Sequence, residues 1–172
     1  MGGKRTLGIN GLGRIGKLTL WHHLGRDEFD RIVINVGRPV GTSLDSVVQY
    51  IAKDSTYGPV QRFLYGQSGV LDLSVTDEGK GLISAFGKEL VVLREHRDPR
   101  DIPWRDNGVA LVVDCTGTFR DPYAEPDAPR GSLRGHLEGG AKIVVQSSPY
   151  KSRQKGVPLP ADAAMLIHGI NH

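Results

Sequence analysis

The chain has 172 residues, 38% hydrophobic and 24% charged, with a formal net charge of +3. That length suits one domain with its own core. One cysteine excludes an internal disulfide framework and fits a reducing, cytoplasmic setting, while the mild positive charge suits an anionic ligand but is far from a nucleic-acid footprint.

No apolar run reaches the roughly 18 residues of a membrane span. The opening residues lead into a strand without the pattern of a secretory leader. Thr6 to Asn10 reads as that strand, and it runs directly into Gly11-Leu12-Gly13-Arg14-Ile15-Gly16. A glycine triplet at this spacing permits a sharp turn, then close approach of backbone to a pyrophosphate, then tight packing of helix on strand. Ile15 to Leu24 reads as the helix, with Leu18, Trp21 and Leu24 on one face. Its first N–H groups and its dipole face the anion. The strand before and the helix after raise the triplet above a generic turn.

Arg31 to Val36 is apolar and β-branched, as a buried parallel strand would be. Ser43 is placed to cap a helix whose apolar face is Leu44, Val47, Val48 and Ile51. Phe63-Leu64, Val70 to Val75, Leu82-Ile83 and Leu90 to Leu93 are short and punctuated by glycine. They read as small antiparallel strands. The α/β rhythm then returns, with a strand over Val109 to Asp114, a short helix over Ser132 to Glu138 and a strand over Ala141 to Gln146. Ala163 to His168 reads as a last strand; Asp121 to Arg130, with three prolines, and Tyr150 to Asp162 read as loops. The expectation is an α/β fold. It is a single dinucleotide-binding domain over 1–172, with a Rossmann-type, doubly wound, mainly parallel sheet and a small antiparallel insertion near residues 60 to 95.

In order and approximate spacing, the motifs resemble the N-terminal half of the glyceraldehyde-3-phosphate dehydrogenase family. Gly8-Ile9-Asn10-Gly11-Leu12-Gly13-Arg14-Ile15-Gly16 is similar to its signature, with Leu12 where Phe is usual. Asp54-Ser55-Thr56-Tyr57-Gly58, Arg97-Asp98-Pro99 with Trp104 after it, and Cys115-Thr116-Gly117 followed by Phe119 all have counterparts in the family. So do Gly139-Gly140-Ala141-Lys142, leading into a strand that ends Ser147-Ser148-Pro149, and Gly169-Ile170-Asn171-His172. The resemblance implies an oxidoreductase that binds and orients a nicotinamide cofactor, NAD or NADP, for hydride transfer. In that family an aldehyde is oxidised on a cysteine and phosphate releases the acyl group. The family's catalytic cysteine motif, Ser-Cys-Thr-Thr-Asn, follows the Gly-Val-Asn-His stretch, and the sequence stops before it. The resemblance therefore assigns no catalytic residue here, makes the catalytic half of the same enzyme a partner, and predicts an isolated chain without turnover. The family's tetrameric habit leaves a homo-oligomer open. The other reading is a stand-alone, non-catalytic dinucleotide-binding or interaction module.

The candidate cofactor-binding residues are Asn10, Gly11, Leu12, Gly13, Arg14 and Ile15 at the glycine turn; Asn35, Gly37 and Arg38 after the second strand; and Arg97, Cys115, Thr116, Gly117, Phe119 and Ser147. Asn10, Thr116 and Ser147 stand at carboxyl ends of strands, where open α/β sheets bind ligands. By the family's pattern, an acidic residue would follow Asn35 and hold the adenosine ribose. Val36 stands there instead, with Arg38 two residues on, and Asp30 is at the wrong end of the strand. An arginine near this point accommodates the 2′-phosphate of NADP. Cys115 reads as a small pocket-lining residue rather than a nucleophile. His168 and His172 stand four apart, but the glycine and asparagine between them argue against one helix face, so no metal is expected. Lys151, Arg153 and Lys155 read as a solvated loop.

Overall fold

The computed structural model describes residues 5–151 and 156–171. Arg153, Lys155 and His172, which bear on the basic-loop and histidine-pair readings above, lie outside the described residues. The elements run β1 (Thr6–Asn10), α1 (Arg14–Leu24), β2 (Arg31–Asn35), α2 (Leu44–Ala52), β3 (Lys53–Asp54), β4 (Gly58–Pro59), α3 (Val60–Tyr65), β5 (Leu73–Asp77), β6 (Leu82–Ala85), β7 (Lys88–Leu93), β8 (Val109–Asp114), α4 (Leu133–Glu138) and β9 (Ile143–Gln146).

Seven strands form one sheet in the order β5-β6-β7-β2-β1-β8-β9, and β3 and β4 make a separate two-stranded ribbon. β1 pairs parallel with β2 on one side and β8 on the other, β2 parallel with β7, and β8 parallel with β9. β5, β6 and β7 pair antiparallel. The expected antiparallel insertion is present as β5, β6 and β7, and it continues the main sheet: Leu90 to Leu93 lies in β7, which pairs antiparallel with β6 and parallel with β2. The chain adds strands outward from β1 to one side, then returns to add β8 and β9 on the other. The reversal point lies at the carboxyl ends of β1 and β8, where such sheets bind ligands.

Strand period divides the core into two layers. Ile32 and Ile34 of β2 face one side, with Leu7 and Ile9 of β1; there they meet Leu20, Trp21 and Leu24 of α1 and Leu44, Val47 and Ile51 of α2. Val33 faces the other side, with Val91, Val109, Val112, Ile102, Trp104 and Ala141. Trp21 and Trp104 are both fully buried, one in each layer. α1 can lie close on β1 because Gly16 has no side chain; a methyl there would collide with the carbonyl of Gly11. Ser43 caps α2 through its hydroxyl, which accepts from the Ser46 N–H, and Ser132 caps α4 through the Gly135 N–H. Leu44 N–H also donates to the Glu78 carboxylate at 2.9 Å, which puts negative charge at the positive end of α2.

Two expected strands are overturned. Phe63-Leu64 lies in α3, because Pro59 opens a helical turn there and Phe63 packs its ring 5.3 Å from that of Trp21. Ala163 to His168 forms turns and irregular chain with Met165, Leu166 and Ile167 exposed. β9 is therefore the sheet edge. Two others are shorter than expected: β5 begins at Leu73 rather than Val70, and β9 at Ile143 rather than Ala141.

Trp21 also donates its indole N–H to the Ile51 carbonyl at 2.9 Å, joining α1 to α2. Trp21→Ala is expected to cost about 3–5 kcal/mol, as loss of a fully buried large aromatic does. Chemical denaturation followed by far-UV circular dichroism checks it.

Candidate functional site

The carboxyl ends of β1, β2 and β8 are tied by a buried polar network. Asp114 accepts at Oδ2 from Asn10 Nδ2 at 2.7 Å and from His136 Nε2 at 3.1 Å; at Oδ1 it accepts from the Thr116 hydroxyl at 2.7 Å and the Thr116 N–H at 3.0 Å. Asn35 Nδ2 donates to Asn10 Oδ1 at 2.8 Å and to the His96 carbonyl at 3.1 Å. Trp104 donates its indole N–H to His136 Nδ1 at 3.0 Å. An indole nitrogen only donates, so Nδ1 must be the bare nitrogen and Nε2 carries the hydrogen given to Asp114. Burial pushes the Asp114 carboxyl up, but the hydrogen bonds from His136, Thr116 and Asn10 together outweigh it, and the group stays below the ordinary carboxylate value.

Above this network lies a cleft of about 600 Å³, lined by Asn10, Gly11, Leu12, Gly13, Asn35, Val36, Gly37, Arg38, Arg97, Cys115, Thr116, Thr118, Phe119 and Arg130. Gly11 turns at φ +90°, and a side chain there would strike Thr116. At Gly13 the position of a side chain is open, with no atom within 4 Å. Gly13 is also the N-cap of α1, and no side chain occupies its capping position or puts an acid in the first turn. Among the described residues, the first N–H groups of this eleven-residue helix thus have no side-chain cap. The cradle fits an anionic group at the helix start. The lining contains three arginines and no carboxylate.

Eleven of the expected site residues meet in this cleft: Asn10, Gly11, Leu12, Gly13, Asn35, Gly37, Arg38, Arg97, Cys115, Thr116 and Phe119. Four stand apart from the lining. Arg14 turns its side chain outward, with Nε 3.9 Å from Asp54. Ile15 is exposed on the first turn of α1. Gly117 makes a left-handed turn at φ +64°. Ser147 follows β9, bonded through its N–H to the Asp114 carbonyl at 3.0 Å. Val36, Thr118 and Arg130 line the cleft without having been singled out as site residues. Thr118 lies between two residues that were, so its neighbours signal it; Arg130 has no local signal at all.

Cys115 is partly buried, and burial pushes its thiol up. Such a thiol is a poor nucleophile at neutral pH. The Asp54 to Gly58 motif folds back on α1. Asp54 accepts from the Thr56 N–H at 2.9 Å and lies 3.1 Å from Lys17 Nζ, which is itself buried. The Thr56 N–H bond first, then the Lys17 contact, hold the Asp54 carboxyl at about 2, below its ordinary 3.8.

Residues 5–122 match the family model described as glyceraldehyde 3-phosphate dehydrogenase, NAD binding domain. Among similar proteins, the cytosolic glyceraldehyde-3-phosphate dehydrogenase of Pisum sativum is 33% identical over 171 residues, covering 99% of this chain and 41% of that protein. The cytosolic enzyme of Ranunculus acris is 35% identical over 172 residues, covering 100% of this chain and 41% of its own length. The glyceraldehyde-3-phosphate dehydrogenase of Ogataea parapolymorpha is 35% identical over 167 residues, covering 97% and 40%. The chain thus spans about 41% of the length of the first two of these relatives.

Because the folded-state value of Asp54 is depressed, its contribution to stability is present above about pH 3.8 and is lost as the pH falls toward about 2. The difference in unfolding free energy between the wild type and Asp54→Asn is therefore expected to shrink across that window. Urea titrations at a series of acid pH values measure it; a difference that stays constant contradicts the assignment.

Proposed function

Because this chain belongs to the glyceraldehyde-3-phosphate dehydrogenase family, matching its NAD-binding domain, we propose that the cleft above β1, β2 and β8 holds the nicotinamide dinucleotide of such an oxidoreductase. The observation that carries this is the open cradle at Gly13 and the start of α1, set at the reversal point of the sheet. The diphosphate lies over Gly11, Leu12 and Gly13, reached by the N–H groups of Arg14 and Ile15. Asn10, Asn35 and Gly37 border the adenosine side, with Arg38 and Arg97. Cys115, Thr116, Gly117 and Phe119 form the wall after β8, and Ser147 stands behind Cys115. The cofactor supplies hydride acceptance; these residues bind and orient it. No catalytic residue is assigned to this chain.

The same reading extends to which cofactor is taken. Val36 is neutral and buried where a ribose-binding carboxylate would repel a phosphate. A side hollow of about 250 Å³ opens beside it, lined by Arg38, Arg94 and Arg97 together with Gly37, Pro39 and Val40. We assign NADP as accepted or preferred, with Arg38 as its phosphate partner. The catalytic half of the same enzyme is the partner of this domain, within a homo-oligomer in the cytoplasm, and the domain alone has no turnover with aldehyde and phosphate. Neither a nucleic acid nor a membrane is a partner; among the described residues no helix is long and apolar enough to cross one.

Paired calorimetric titrations with NAD and NADP at matched low salt test the assignment. NADP is expected to bind more tightly, and Arg38→Ala to weaken it roughly tenfold or more while leaving NAD nearly unchanged, as loss of a charge-assisted hydrogen bond implies. Val36→Asp is expected to shift preference toward NAD. Tighter NAD binding that Arg38→Ala leaves untouched overturns the phosphate role, and binding of neither dinucleotide overturns the cofactor site.

A further inference from the structure

The proline-rich stretch over residues 121 to 131 contributes no strand or helix to either layer, yet it is closely seated. Short turns follow one another along it: the Ala124 N–H donates to the Asp121 carbonyl, Ala128 to Glu125, and Gly131 to Ala128 at 2.7 Å. It ends at Gly131, in the left-handed region at φ +72°, where a Cβ would stand 2.8 Å from the ring of Phe119 and 2.9 Å from Pro99. Only glycine lets the chain lie that close, so the stretch is pinned to the cleft wall and to the turn that follows Arg97. Arg130, the residue before, is thereby delivered into the cleft lining.

The charge there is one-sided. Arg38 and Arg97 come from the loops after β2 and β7, and Arg130 comes from beyond β8, so guanidinium groups approach from separate segments. Among the described residues, Arg97 and Arg130 have neither an ion pair nor a side-chain hydrogen bond, whereas nearby Arg100 and Arg134 are each closed on a carboxylate, Asp98 and Asp162. Solvated arginines beside one another repel unless an anion lies between them. A phosphate dianion on a ribose offers several acceptor oxygens and suits such a group, because a guanidinium binds phosphate through paired donors.

We infer that Arg130 is a specificity-determining residue of the cleft, engaging, with Arg97 and Arg38, a phosphate carried on the ribose of the dinucleotide. The inference rests on the cofactor reading above. It gives the 121–131 stretch a purpose that its place outside the layers does not.

The test is calorimetric titration of NAD and NADP into the wild type, Arg130→Ala, Arg130→Lys and Arg38→Ala, with thermal melting of each. Arg130→Ala is expected to weaken NADP roughly fivefold or more and NAD less than about twofold, with only part of the loss restored in Arg130→Lys, which keeps the charge but not the paired donors, and the difference fading at high salt. Melting is expected to be unchanged, because Arg130 is exposed. Equal loss of both dinucleotides, or no loss of either, overturns the inference. If Arg38→Ala discriminates between the two and Arg130→Ala does not, this inference alone fails; if the wild type binds neither, the cofactor reading fails and takes it along.

Discussion

A single buried carboxylate organises the ligand-binding end of this domain. Asp114 has no exposure to solvent, and an uncompensated charge in that position would cost several kcal/mol. It is compensated from four directions: Asn10 on β1, His136 on α4, and both the hydroxyl and the N–H of Thr116. Each donor fixes something the cleft needs. Asn10 in turn accepts from Asn35, so the ends of three neighbouring strands are held in one plane of hydrogen bonds. Thr116, oriented by Asp114, closes against Gly11, and the glycine turn therefore has a defined wall to turn along. His136 brings α4, and Trp104 behind it brings the loop that precedes β8. Loss of Asp114 would leave the buried donors of Asn10 and His136 without this acceptor at once.

The second constraint is close approach of the chain at two glycines. Gly16 lets α1 sit against the Gly11 carbonyl, and Gly131 does the same for the 121–131 stretch against Phe119 and Pro99. One contact aims the helix start at the cleft from below; the other brings a basic side chain to its rim. Neither position tolerates a methyl group without movement of the chain.

Much of this was legible in the sequence because it is local. Strand β2 shows itself by β-branched residues, α2 by the serine that caps it, and the cleft floor by three glycines between a strand and a helix. What escaped depends on partners far along the chain. Phe63 and Leu64 are two adjacent apolar residues, compatible with strand or helix until Trp21 supplies a ring to pack on. The parallel pairing of β7 is settled by β2, more than 50 residues earlier. Arg14 sits inside the glycine turn, yet its side chain lies outside the cleft lining, with Nε 3.9 Å from Asp54, 40 residues on. Arg130 carries no pattern of its own; Gly131 and Phe119 put it where it is, and that contact exists only once the sheet has formed.

The sheet also divides the molecule's two indoles, Trp21 on α1 against α2, and Trp104 on the opposite face beside His136. Each is sealed from water, and each hydrogen-bonds a different kind of acceptor, a carbonyl for Trp21 and an imidazole nitrogen for Trp104. The intrinsic emission of this domain is thus a sum of two spectroscopically distinct reporters, one per layer. A variant keeping a single indole would follow its own layer alone, and comparing the two would show whether the faces of the sheet melt as one cooperative unit or in sequence.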